Sequence, residues 1–146
     1  MVQIGRFIVL LALPALFLSG CAGAQKKQVA EQRISELMQE FERAWETENY
    51  EQIVAHYSPE YRYSDGSSLD QVQRQAQIVC ENPNIKVDLV LDSMEITAKD
   101  DLATVEKVRS RVTTPNGQSL FGLIYRLNKR EGRWLIVWSD AWQIEQ

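Results

Sequence analysis

Residues 103–128 read ATVEKVRSRVTTPNGQSLFGLIYRLN, two alternating segments on either side of the turn Thr114–Gly117. Alternation of apolar and polar residues is typical of β-strands, and Pro-Asn-Gly between two such segments favours a hairpin. We expect strands over Ala103–Thr113 and Gln118–Asn128. Strands joined by so short a turn pair in antiparallel fashion. The stretch therefore predicts the centre of an antiparallel sheet.

The same alternation continues on both sides of this hairpin. Apolar residues alternate between Ile85 and Ile96, and again from Arg133 to about Ile144, after the turn Lys129–Gly132. Short turn sequences separate the segments, so consecutive strands are expected to be neighbours. The second half of the chain thus predicts a meander of four long strands.

Helical patterns precede the strands. The first begins at Glu31, and the second and third begin after the capping residues Asn49 and Ser68, with Pro59 and Pro83 expected to end them. The apolar stripe of the first helix is Ile34, Leu37, Met38, Phe41, Ala44 and Trp45. Three helices followed by four strands predict an α+β fold with the helices packed on one face of a mainly antiparallel sheet.

The N-terminus predicts export. Arg6 precedes the uncharged segment Phe7–Leu18, which is too short to span a bilayer and has the layout of a signal peptide. Leu18-Ser19-Gly20-Cys21 resembles the lipobox of bacterial lipoproteins. The resemblance implies cleavage before Cys21, acylation of that cysteine with palmitate-type chains, and a membrane anchor. Ala22 in the next position implies the outer membrane, with the protein facing the periplasm.

We therefore divide the chain into a signal peptide (residues 1–20), a lipidated tether (21–30) that we expect to be a flexible stalk, and one domain (31–146). The net charge of −4 and the lack of basic runs argue against a nucleic-acid partner. With Cys21 lipidated, Cys80 is expected to be a buried structural thiol. A single histidine and no ligand spacing predict neither a metal site nor a cofactor.

Two segments carry a resemblance to a known family. Asn49–Gly66 (NYEQIVAHYSPEYRYSDG) and Gly132–Val137 (GRWLIV) look like the nuclear transport factor 2-like superfamily, in its SnoaL-like and ketosteroid-isomerase-like branch. The resemblance implies a cone-shaped fold, in which a curved sheet wraps round three helices and encloses a pocket. Members include isomerases, dehydratases, hydrolases and proteins without chemistry, so the fold alone gives no function.

The resemblance also places catalytic positions. Asp65 falls where the isomerases carry a carboxylate base, although an Asp before Gly also closes its own turn. The tyrosine that would donate to an oxyanion is matched by Phe41, and the acid on a later strand by Gly122 or Leu123. None of these three side chains donates a hydrogen bond, which disfavours isomerase chemistry.

The last strand supplies the other candidate. Strict alternation places its tryptophans and one acid on a single face: Trp134, Ile136, Trp138, Asp140, Trp142 and Ile144. If this face lines the cone, Trp138 and Trp142 are pocket walls around Asp140, and Glu106 on another strand could pair with that acid. If it faces outward, the same aromatics form an association surface. We favour the pocket.

Three functions remain open from the sequence. The first is non-catalytic binding of a small apolar ligand or an envelope protein. The second is an isomerase, dehydratase or hydrolase with Asp65 or Asp140 as base and Tyr63 or His56 assisting, although His56 also suits the end of its helix. The third is a module that forms a homodimer through the sheet. The predicted ligand-binding residues are Phe41, Tyr63, Asp65, Glu106, Trp138, Asp140 and Trp142.

Overall fold

The computed structural model describes residues 19–144, with side chains from residue 22 onward. The helices are α1 (Ser19–Glu46), α2 (Tyr50–Ala55) and α3 (Leu69–Glu81), and the strands are β1 (Tyr57–Tyr63), β2 (Lys86–Val90), β3 (Glu95–Lys99), β4 (Leu102–Thr114), β5 (Gly117–Arg130) and β6 (Arg133–Ile144). The α+β prediction is confirmed, with β1 inserted between the second and third helices.

The predicted signal peptide up to Leu18 and the side chain of Cys21 lie outside this description, so lipid attachment stays a prediction. Residues 22–29, expected to be a flexible stalk, are instead the exposed N-terminal part of α1. Alanine, glutamine and lysine are good helix formers, which the expectation of a start at Glu31 undervalued. Among the described residues, no helix is both long and apolar enough to cross a membrane.

The helices pack against one face of the sheet, here called the inner face. Ile34, Met38, Phe41 and Ala44 recur at three- and four-residue steps along α1 and are fully buried. Their stripe joins the buried residues of the sheet in one core. The helical pattern seen in the sequence is therefore the contact surface of α1.

The segment after α1 turns sharply from helix to strand. Asn49 caps α2 as predicted, its Oδ1 accepting a hydrogen bond from the Gln52 N–H at 3.1 Å. The helix ends at Ala55, not at Pro59, and β1 starts at Tyr57. β1 then pairs in parallel with β6, the last strand of the chain.

The sheet has the strand order β1-β6-β5-β4-β2, and β3 also pairs with β4. All pairings other than that of β1 with β6 are antiparallel. The long strand expected between Ile85 and Ile96 is in fact two short ones, β2 and β3, which lie one after the other along the same edge of β4. The predicted hairpin joins β4 to β5, with Thr114 opposite Gly117.

Two β-bulges interrupt the long strands. In β4 the register shifts between Val105 and Val108, and Lys107 has φ +58. In β6, Ile136 pairs with Leu127 and Trp138 with Arg126, which leaves Val137 without an opposite residue. An extra residue reverses the side chains beyond it and bends the strand. The bulge at Val137 decides where the candidate site lies.

Candidate functional site

Aromatic side chains fill the base of the cone. Phe41 is fully buried, and its ring lies 5.6 Å from that of Tyr57 and 5.9 Å from that of Tyr125, both edge-on. The His56 ring also packs against Phe41, with 5.2 Å between the two ring centres. Phe41 is thus part of the core and presents no surface to a ligand, contrary to its expected place in a pocket wall. Burial raises the pKa of both Tyr57 and Tyr125.

Further along the cone, tyrosine hydroxyls bond to β6. The Tyr61 and Ser139 hydroxyls, both buried, lie 2.5 Å apart. The Tyr63 hydroxyl donates to the Ala141 carbonyl at 3.4 Å from a half-buried side chain. Tyr63 is therefore the predicted ligand-binding residue that does line the inner face. Burial raises the pKa of Tyr61, although its bond to Ser139 opposes the shift.

Asp65 lies outside the cone. Its side chain is exposed, and its Oδ1 accepts hydrogen bonds from the Ser67 hydroxyl and from the Ser67 backbone N–H, the latter at 2.8 Å. These bonds lower the pKa of the carboxyl group. A general base in an apolar pocket needs the opposite shift. The geometry matches the alternative reading, in which Asp65 closes its own turn.

His56 and Asp65 occupy opposite ends of β1. β1 is irregular, since Tyr57 pairs with Ile136 and Tyr63 with Ser139, so its two ends lie only about 10 Å apart along β6. His56 is the C-cap residue of α2, and its Nδ1 lies 2.6 Å from the Gln52 carbonyl oxygen. It therefore occupies the helix end predicted for it, while Asp65 is bonded within its own turn to Ser67.

The candidates on β6 face outward. Because Val137 is an extra residue, Ser139 joins Trp134 and Ile136 on the inner face, while Trp138, Asp140 and Trp142 turn to the outer face. The expectation that all the tryptophans of this strand share a face is wrong for this reason. Their outward orientation matches the alternative in which these aromatic side chains form an association surface.

Neighbouring strands hold these outward side chains in place. The Asp140 carboxylate accepts hydrogen bonds from the Ser64 hydroxyl at 2.5 Å and from the Ala141 N–H at 2.9 Å. The Arg126 guanidinium lies 4.4 Å above the ring of Trp138, a cation–π contact. Asp140 is thus already bonded, and one face of Trp138 is covered.

Trp142 lies over Gly122 on β5. A Cβ built on this glycine would be 2.7 Å from the indole Nε1 and nearer still to two ring carbons, so the indole occupies the space that a side chain would take. Trp142 is 51% exposed despite this contact. The family resemblance matches Gly122 to an oxyanion position, whereas in the structure this glycine lets an indole rest on the backbone.

Glu106 does not join Asp140 in a carboxylate pair. It is exposed at the bulge of β4, opposite Glu95 of β3. β5 separates its strand from that of Asp140, which places the two backbones about 10 Å apart. The predicted acid pair is therefore not formed.

The outer face also collects basic residues that are scattered in the sequence. Alternation and register bring together Arg62, Lys86, Arg109, Arg111 and Arg126, with Lys107 at the bulge. Some are paired, since Arg109 binds Asp92 at 2.7 Å and Lys107 binds Glu95. Acidic side chains lie on the same face, with Asp88 opposite Arg111, Glu106 at the bulge and Asp140 between Trp138 and Trp142, so the face mixes both charges. No run of basic residues in the sequence indicates this cluster, because its members come from different strands.

An open groove of about 1430 Å³ lies at the other end of the domain, between the N-terminal half of α1 and the turns after β3 and β5. Of the predicted site residues it includes only His56. Within residues 19–144, no group of three or more potential ligand side chains could hold a metal ion.

Comparisons with known proteins agree with this architecture. No family model matches the sequence. No curated protein matches it either. Among solved structures, the chain is similar to a nuclear transport factor 2-like protein of Pseudomonas putida, with 13% identity over 78% of this chain and 86% of that one and a TM-score of 0.65.

A candidate dehydratase of the nuclear transport factor 2-like family from Streptomyces avermitilis is similar over 82% of this chain and 99% of that one, with 12% identity and a TM-score of 0.68. A Bdellovibrio bacteriovorus protein matches 79% of this chain with 16% identity and a TM-score of 0.67, and this chain spans 41% of that protein. At such identities the likeness shows the fold alone. The chain has the α+β nuclear transport factor 2-like fold.

Proposed function

We propose that this protein is a lipid-anchored component of the bacterial cell envelope that binds a partner through the outer face of its sheet and catalyses no reaction. One observation carries the proposal: the bulge at Val137 turns Trp138, Asp140 and Trp142 outward, beside a cluster of arginines. Tryptophan and arginine are the residues that most often dominate binding energy at recognition surfaces.

The dispersal of the catalytic candidates supports binding over catalysis. Asp65 is exposed with a lowered pKa, His56 contacts the Gln52 carbonyl of its own helix, and Asp140 is on the outer face. A reaction needs its acid, base and binding groups within reach of one substrate. The enzyme alternative, for which the Streptomyces neighbour is the reason, would need a ligand among the tyrosines of the cone.

A second copy of this chain is the alternative occupant of this face. In a two-fold interface residue i of one copy contacts residue j of the other. The face carries Asp88 and Asp140 as well as Arg111 and Arg126, so opposite charges can meet across such an interface.

The anchor is tested by fractionating cells that express the full chain with its own leader. The wild-type protein should sediment with the outer membrane, resist high-salt washing and incorporate a clickable palmitate analogue. Cys21→Ala should abolish the label, and Cys80→Ala is the matched control that should retain it. An unlabelled wild-type protein, or label retained in Cys21→Ala, would contradict the proposal.

Binding of small molecules inside the cone tests whether the protein is an enzyme. Under the enzyme alternative, a small ligand should raise the unfolding temperature of the wild type, and Tyr63→Phe should remove that effect. Under the proposed function, no member of a broad panel of steroids, polyketides and epoxides should stabilise the protein in a way that depends on Tyr63. A dependent ligand that is also converted would overturn the non-catalytic role.

A further inference from the structure

α1 is one continuous helix that lies in two different environments. Its 28 residues run from Ser19 to Glu46, a length of about 42 Å. From Ala30 onward one side of the helix packs on the domain, and Ile34 is fully buried there. Residues 22–29 are all exposed. The helix therefore continues out of the core, and its first turns project from the domain.

The projecting part of α1 is a direct extension of the buried part. Residues 19–46 contain no proline, and a helix extends from a turn that is already formed without the cost of nucleation. An ion pair spans the point where the helix leaves the core, since Lys27 Nζ lies 3.7 Å from Glu31 Oε1, one turn further along. Gly23 has the lowest helix propensity among residues 22–29 and lies close to the helix start. α1 is therefore a single rod from the core to its first turns.

Two turns of the sheet lie beside the projecting helix. They are the turns after β3 and β5, at Asp101 and Gly132, and with the N-terminal half of α1 they border the open groove. The strands β4 and β6 begin at these turns, and β5 ends there. The hairpin Thr114–Gly117 lies at the other end of β4, up to about 40 Å away along that strand. The end of the domain nearest to Cys21 is therefore the end with the two turns, and Trp142 lies towards the opposite end.

The projecting part has no apolar side with which to lie on a bilayer. Helices that rest in the membrane interface bury Leu, Phe or Trp side chains along one side. Residues 22–28 (AGAQKKQ) are small or polar, and Val29 is the first larger apolar side chain. This part of α1 therefore separates the domain from the lipid and does not bind lipid along its length. From Cys21 to Ala30 it spans about 14 Å.

We infer that α1 is a rigid spacer, which holds the domain at this distance from the lipid-bearing residue with the turns after β3 and β5 directed towards the bilayer. The inference rests on the proposed function for the lipid on Cys21. Trp142 and its apolar neighbours Leu120 and Ile144 then lie at the end of the domain that faces away from the membrane. A partner of the outer face is therefore met in the aqueous compartment and not at the lipid surface. A flexible tether would instead let the domain turn either end towards the bilayer.

The test is energy transfer from a dye on the protein to dyes on lipid headgroups. The full lipidated chain carries Cys80→Ala and one added cysteine for the donor dye, and it is inserted into preformed vesicles of phosphatidylethanolamine and phosphatidylglycerol. The added cysteine is Asp101→Cys in the turn after β3 or Asn116→Cys in the hairpin, both at exposed positions. Transfer should be more efficient from position 101 than from position 116. Incorporation of a palmitate analogue is measured on each sample.

Two matched double variants test whether the spacer is rigid. Lys26→Gly with Lys27→Gly should reduce the difference in transfer efficiency between the two positions, because glycine is a poor helix former and frees the backbone. Lys26→Ala with Lys27→Ala removes the same two charges, keeps the helix and should preserve the difference. Urea unfolding of both double variants verifies that the domain is folded.

Two outcomes would overturn the inference and leave the anchor in place. The first is equal or greater transfer from position 116 in a palmitate-labelled chain with an unchanged α1. The second is the same difference in transfer efficiency in the glycine and alanine variants. A chain without the palmitate label would overturn the anchor, and the inference with it.

Discussion

Replacement of Ser139 by alanine tests the register that the bulge imposes on β6. The Ser139 hydroxyl is buried and lies 2.5 Å from that of Tyr61, which is 1% exposed. Removing one partner leaves the other hydroxyl buried without a hydrogen bond, which costs about 1–3 kcal/mol. Tyr61→Phe likewise leaves the Ser139 hydroxyl buried without its hydrogen-bond partner. Each single variant should therefore lower the free energy of unfolding by an amount in this range.

The double variant is the informative one. When both hydroxyls are removed, no polar group is stranded, so the combined loss should be smaller than the sum of the single losses by about 1 kcal/mol or more. Urea unfolding followed by far-UV circular dichroism measures all three values. Ser64→Ala is the control, since Ser64 also bonds across to β6 but is exposed.

Two results would refute the reasoning. If Ser139→Ala changed the free energy of unfolding by less than about 0.5 kcal/mol, the hydroxyl would be behaving as a surface group. If the two single losses were simply additive, the hydroxyls would not be coupled. In either case Ser139 would not face the core, and the outward position of Trp142 would lose its structural basis.

The remaining predictions concern Phe41, Asp92 and Cys80. Phe41→Ala should lower the free energy of unfolding by about 3–5 kcal/mol, because the ring is fully buried, and a loss under about 1 kcal/mol would show that it is not core. Hydrogen bonding from Arg109 lowers the pKa of Asp92, so the stability that Asp92 contributes is present above about pH 3.9 and is lost as pH falls through the lowered folded-state pKa. Acid titration of unfolding should show this loss in the wild type and not in Asp92→Asn, and an identical profile in both would contradict it. Partial burial raises the pKa of the Cys80 thiol. At about pH 8, iodoacetamide should therefore react more slowly with Cys80 than it reacts with free glutathione, and equal reaction rates would argue against that shift.

The sequence predicted those elements that depend on local chemistry. The cap of α2 at Asn49 is a contact over three residues, and the hairpin at Thr114–Gly117 depends on two turn residues. The stripe of α1 follows from helical periodicity alone. In each case the residues that indicate the element and the residues that form it lie close together in the sequence.

The candidate site was predicted only in part. Trp138, Asp140 and Trp142 do lie together on one face, as alternation indicated, but that face points away from the cone. Alternation says which residues of a strand share a side, and a single extra residue reverses the side for everything beyond it. Nothing adjacent to Val137 marks it as a bulge, because the bulge is defined by what β5 places opposite.

By itself the sequence determined the fold class, the positions of the long strands and an N-terminus that predicts a lipid anchor, since composition and periodicity carry that information. Only the tertiary structure decided that β1 pairs in parallel with β6 and that Arg62, Arg109 and Arg126 share a surface with Trp142. These features depend on pairing between residues far apart in the chain. Strand pairing and bulges, not local propensity, therefore set the face on which this protein presents its candidate site.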